Sequence, residues 1–185
     1  MAVHFTADTH FGHGGALGLF RRPFPSVAAM DEALALAWNA AVAPSDTVWH
    51  LGDVAVRAKP ERVAHLLARL NGAKHLIAGN NDGDATRACA GWASVRDYAE
   101  IELDGRRLVL CHYPLRSWNG MAKGALNLHG HSHGRMAPLT RQFDVGVDVW
   151  GFRPVGLETL LASRRRRTSA GRLEQGEKPT RTPGP

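Results

Sequence analysis

Apolar residues recur along this chain with two different periods, and the change from one to the other lays out the elements. Val3 to Ala7 is a short, mostly apolar run that reads as a strand. After a loop through Arg21-Arg22-Pro23-Phe24-Pro25, Ser26 can cap a helix whose Val27, Met30, Leu34, Trp38 and Ala41 follow helical spacing. Pro44-Ser45-Asp46 turns the chain into a second strand, Thr47 to Leu51. Pro60 suits the first turn of another helix, with Val63, Leu66, Leu67 and Leu70 as its buried stripe and Asn71-Gly72 as its stop. Lys74 to Ala78 is a third strand, and Asp84 to Ala90 a short helical piece.

Further on, the pattern becomes one of hairpins. Tyr98 to Leu103 and Arg107 to Cys111 flank the turn dipeptide Asp104-Gly105. Strands near Ala125 to His129 and Gln142 to Val149 follow, with a last helix around Val155 to Ala162. No repeat or internal linker divides residues 1–162, so an α/β (α+β) fold in one domain is expected. With 185 residues, 44% of them apolar, the chain can bury a layered core.

Charge alters the picture only at the end. The formal net charge is +6, but residues 163–185 hold seven Lys/Arg against Glu174 and Glu177, which leaves +1 for the rest. That arginine-rich, Gly- and Pro-containing tail is too poor in apolar groups to offset its ordering entropy, and it reads as disordered, open to weak polyanion contact. No signal peptide or membrane span is legible, which makes a cytoplasmic location the expectation. Cys89 and Cys111 lack C-x-x-C spacing and read as free thiols.

Chemistry-bearing residues fall at the ends of successive strands: Asp8 and His10, Asp53, Asn80, His112, then His131 and His133. The last pair belongs to LNLHGHSHG, where His129, His131 and His133 alternate. These seven oxygen and nitrogen donors are too many for one tetrahedral zinc and suit two cations sharing a carboxylate. With only two anionic ligands such a centre stays positive and attracts phosphate. Imidazoles and an amide oxygen favour Mn, Fe or Zn over Mg or Ca.

The ordered set D-T-H, G-D, G-N-N-D, C-H-Y-P and G-H-S-H resembles the calcineurin-like metallophosphoesterases, and HLGD, LCHYPLRSWNG and DVGVDVWGFRPV resemble a small, single-domain bacterial and phage-like branch of them. The resemblance covers most of residues 3 to 160. It implies a four-layer αββα sandwich of two mixed sheets, with the metal site at the strand ends. It also implies phosphoester hydrolysis by a hydroxide bridging two divalent metal ions. Asp8, His10 and His133 would hold one ion, Asn80, His112 and His131 the other, and Asp53 would bridge.

One position departs from that family. Most members read G-N-H-[DE], the histidine protonating the leaving group with help from the acidic residue; here Asn81 precedes Asp82. An amide cannot act as a general acid near neutral pH, so esters with good leaving groups are favoured. His13, in the loop of His10, is a candidate substitute, and Arg116 a candidate phosphate contact. Asp144 and Asp148 could orient ligand histidines, or could equally be turn and edge residues. The run after Asp53 lacks the second acid of the protein-phosphatase signature, which disfavours phosphoprotein and leaves small nucleotide-like phosphodiesters or activated phosphomonoesters. A silent metal-binding protein, or a nucleic-acid or polyanion binder acting through the tail, is the alternative.

Overall fold

Residues 1–164 are described in the computed structural model, and each half of the domain contributes one sheet. In the first, β1 (Val3–Thr6), β2 (Thr47–His50), β3 (Ala73–Ile77) and β4 (Ser94–Arg96) run parallel, and β9 (Val155–Gly156) closes the edge antiparallel to β1. Parallel neighbours need crossovers. These are α1 (Gly14–Leu19) with α2 (Val27–Ala41), then α3 (Pro60–Arg69), then the short α4 (Asp84–Arg87).

The helices and the sheet meet through residues that the sequence pattern aligns. Met30, Leu34 and Trp38 of α2 and Val63, Leu66 and Leu67 of α3 pack with Val48 and Leu76 of the strands. Ser26 caps α2 by accepting a hydrogen bond from Ala29 N at 3.1 Å. Because strand side chains alternate, Phe5, Trp49 and Ile77 face the opposite way, into the space between the sheets.

The second sheet fills that space from the other side. Its order is β5 (Tyr98–Leu103), β6 (Arg106–Cys111), β7 (Leu126–His129) and β8 (Gln142–Asp144). The β5–β6 hairpin is antiparallel, and β6–β7 and β7–β8 are parallel. Leu108, Leu110, Leu126 and Leu128 meet Phe5 and Ile77 in the inter-sheet core, joined by Leu157 and Leu160 of a last helix, α5, which begins at residue 157. The two mixed sheets with flanking helices are therefore as expected. The outer layer on the second sheet is thin: a loop with one 3-10 turn (Met121–Lys123) lays Trp118 and Ala125 on Val109. Buried Asn127 holds that loop, accepting from Leu115 N and Gln142 Nε2 and donating to Val109 O.

Some elements differ from the sequence pattern. Helix α1 forms from GGALGL with no side-chain cap, stabilised by burial of Ala16. Strand β8 stops at Asp144 instead of Val149, because Asp144 Oδ1 accepts from Gly146 N and turns the chain so that Val147 N reaches Ala7 O. Val155 and Gly156 pair with Phe5 and His4 as β9, which delays the last helix to residue 157. Apart from residues 163 and 164, the basic tail expected over 163–185 lies outside the described residues. Among the described residues, no helix is long and apolar enough to cross a membrane.

Candidate metal centre

Each strand of the pattern ends by turning sharply, and the turn carries the functional side chain. Asp8 and His10 follow β1, Asp53 follows β2, and His131 and His133 follow β7, all with left-handed backbone at φ between 48° and 66°. Such backbone is uncommon outside glycine and costs on the order of 1–3 kcal/mol where the surroundings enforce it. The surroundings here are tight. A Cβ on Gly52, whose φ is +95°, would lie 2.5 Å from Gly79 N and 2.6 Å from His112 Nδ1.

The turns bring all seven candidate ligands to one place. Ligand atoms of Asp8, His10 and His133 lie within 4.8 Å of one another, as do those of Asp8, Asp53 and His112. Asp53 stands between two groups, with Oδ2 3.5 Å from His10 Nε2 and Oδ1 3.7 Å from His112 Nε2. Asn80 Oδ1 lies 3.1 Å from both His112 Nε2 and His131 Nδ1. Asp8, His10, Asp53 and His112 are buried, whereas Asn80 and His131 are exposed, so the centre opens on their side.

Hydrogen bonds set the rings. His112 Nδ1 donates to Leu51 O at 2.7 Å, so in the neutral form of the ring the Nε2 lone pair faces Asn80 Oδ1, itself an acceptor. His133 Nδ1 donates to Asp148 Oδ2 at 2.7 Å, which leaves its Nε2 available. Burial pushes the Asp148 carboxyl up, but hydrogen bonds from His133 and Arg22 outweigh it and hold it below the usual carboxylate range. Arg22, its side chain fully buried, donates twice to Asp148 and also to the carbonyls of Asp8 and Thr9. Buried His50 links the first two ligand loops through Thr9 Oγ1 at 2.9 Å and Gly52 N at 3.2 Å.

These residues fit divalent cations. His10 is buried with no hydrogen-bond partner on either ring nitrogen, and burial pushes it down to about 3 against the pull of Asp53, so it is a neutral donor with a lone pair to offer. Burial and then Asp144 push the Asp8 carboxyl well above its ordinary value, with Asp53 and Asp148 adding to the effect. Asp144, Asp53 and Asp148 all repel Asp8, and facing acceptors at 3.1 Å do likewise. Cations relieve both.

Residues 1–146 match the family described as the calcineurin-like phosphoesterase superfamily domain. The chain belongs to this superfamily. It is thus a metal-dependent phosphoesterase, a hydrolase that uses divalent metal ions. A gene 66 protein of Mycobacterium phage D29 is 32% identical over 180 residues, spanning 80% of this chain and 88% of its own. A protein of Methanocaldococcus jannaschii described as uncharacterised is 29% identical over 167 residues, spanning 86% of this chain and 89% of its own. The crystal structure of a protein of unknown function from Aquifex aeolicus superposes with a TM-score of 0.71 at 22% identity, covering 85% of this chain and 96% of that one. At that identity the likeness is one of fold.

Within this phosphoesterase, the remaining candidates are placed as follows. Asn81 donates from its backbone N to Asp53 Oδ1 at 2.8 Å and from Nδ2 to Asp53 Oδ2 at 2.6 Å. Asp82 accepts from the backbone N–H groups of Asp53, Val54 and Gly79; burial still pushes it up to about 6. It shapes the loop that presents Asp53 and Asn80. His13 lies beside His10, ring centroids 5.3 Å apart, with Nδ1 buried and unpartnered. Arg116 is exposed on the loop after His112 and makes no hydrogen bond or ion pair among the described residues. His129 donates to or accepts nothing at the centre; its Nδ1 lies 2.8 Å from Gly130 O.

Sequence reasoning missed three neighbours of the centre. Phe20 stacks on His133 at 3.6 Å and 13°, Arg22 braces Asp8 and Asp148, and Tyr113 touches His112 and His131. Arg22 sat in a stretch that reads as an ordinary charged loop, and no periodicity marks it. Asp144, expected either to orient a ligand histidine or to be a turn residue, takes the turn role: it accepts from Ser132 Oγ, Gly134 N and Gly146 N and so holds the histidine loop.

Proposed function

We propose that this chain hydrolyses small nucleotide-like phosphoesters, phosphodiesters or activated phosphomonoesters, at a centre of two divalent cations. Asp8, His10 and His133 form one half of the centre, Asn80, His112 and His131 the other. The observation that carries this reading is Asp53, which turns one carboxylate oxygen to each half. Mn, Fe or Zn suits the mixed imidazole, amide and carboxylate donors. Bound there, the cations would supply Lewis acidity toward the phosphoryl oxygens and a nucleophilic water at neutral pH.

The chain's own residues orient and accommodate. Asn81 fixes both oxygens of Asp53, and Asp82 fixes the loop beneath it. Arg116, exposed and uncommitted among the described residues, is assigned to a phosphate oxygen, and His13 offers a further ring nitrogen at the buried wall. No proton donor stands where Asn81 does, so the leaving group departs as the anion or takes its proton from water.

A silent metal-binding protein is the second reading, favoured by the commitment of the Asn81 amide to Asp53. Polyanion contact through residues 163–185 rests on their composition. Metal-dependent hydrolysis of an activated aryl phosphodiester by the purified protein, lost in Asp53→Asn with the circular dichroism unchanged, supports the enzyme. Metal uptake without turnover of any mono-, di- or cyclic phosphoester sinks it.

A further inference from the structure

The centre is sealed at its base and open on one side, and an aromatic ring stands at that opening. Asp8, His10, Asp53 and His112 are at most 2% exposed, while Asn80 and His131 reach solvent. Tyr113, immediately after His112, lies with its ring centroid 5.0 Å from His112 and 4.7 Å from His131, at 72° and 65° to them. It is nevertheless 47% exposed, and its hydroxyl has no hydrogen-bond partner among the described residues. Pro114 follows it and restricts the backbone there. A phosphoryl group held between the halves of the centre must carry its ester substituent out through this opening, past Tyr113.

We propose that Tyr113 is a specificity residue that stacks against a flat aromatic group on the substrate ester, a nucleobase or an aryl ring. The proposal rests on the phosphoesterase reading above and narrows its substrate class. The ring is the agent. Stacking needs an open aromatic surface within reach of the reacting centre and no hydrogen-bond match, so it accepts any base or aryl group and rejects a small alkyl ester only by contributing nothing. An aromatic stack contributes on the order of tenfold in affinity.

The test is calorimetric binding of the non-hydrolysable phenylphosphonate and methylphosphonate to the Mn²⁺-loaded full chain, as wild type, Tyr113→Ala and Tyr113→Phe. Wild type should prefer phenylphosphonate, and Tyr113→Ala should reduce that preference about tenfold with methylphosphonate unchanged. Tyr113→Phe should behave as wild type. Equal weakening of both ligands in Tyr113→Ala would show a ring that only props the ligand histidines, and would overturn the proposal. So would a Tyr113→Phe variant as impaired as Tyr113→Ala, since the hydroxyl would then be responsible, or a wild type that binds the two ligands equally or not at all. Binding is read without turnover, so a protein that shows the preference but hydrolyses nothing contradicts the enzyme reading and leaves the stacking role standing.

Discussion

Asn81 clamps Asp53 at the position where the resemblance implies a proton donor, and under the proposed function that exchange has a measurable cost. Its amide gives both oxygens of Asp53 a hydrogen bond, but it has no acidic proton for a departing alkoxide. Asn81→His should raise turnover of alkyl phosphoesters by up to about 10²-fold and flatten the dependence of rate on leaving-group pKa. A rate profile as steep as wild type would count against this role. Asp148 presents the opposite case, a residue that would act only by orienting the candidate ligand His133. It accepts a hydrogen bond from His133 Nδ1 and is itself gripped by Arg22. Asp148→Asn should lower Mn²⁺ affinity by about 10–100-fold in a calorimetric titration while the thermal midpoint moves little. Unchanged affinity would show that Phe20, stacked on the same ring, suffices to hold it.

Elements legible in the sequence were those whose side chains repeat a period long enough to be seen. Helices α2 and α3 announce themselves through Met30, Leu34 and Trp38 and through Val63, Leu66 and Leu67, the residues that pack on the first sheet. The β5–β6 hairpin follows from Asp104-Gly105, both with positive φ. What stayed hidden was held by distant partners. Helix α1 is too rich in glycine to be read, β4 and β9 span three and two residues, and their pairing partners lie far away in sequence. The candidate ligand positions were visible because each closes a readable strand; Arg22 and Phe20, in loop-like sequence, were not. The strands' support can be tested at β7, which positions His131 and His133. Leu128→Ala, at a fully buried site between the sheets, should cost about 2–5 kcal/mol in urea unfolding. A loss under about 1 kcal/mol would mean that the inter-sheet core is more loosely packed than its burial indicates.

At the scale of the molecule, the two sheets divide the work of building the centre. The first, through β1 and β2, brings Asp8, His10 and Asp53, with Asn80 following β3; the second, through β6 and β7, brings His112, His131 and His133. Neither sheet holds a complete half of the proposed two-metal centre alone, so the packing of one sheet on the other fixes the spacing across Asp53. The most direct test of that arrangement is electron paramagnetic resonance of the protein loaded with Mn²⁺. Two cations bridged by a carboxylate at about 3.5–4 Å should be magnetically coupled, and Asp53→Asn should abolish the coupled signal. The spectrum of a single isolated Mn²⁺, unaltered by Asp53→Asn, would contradict the two-metal centre.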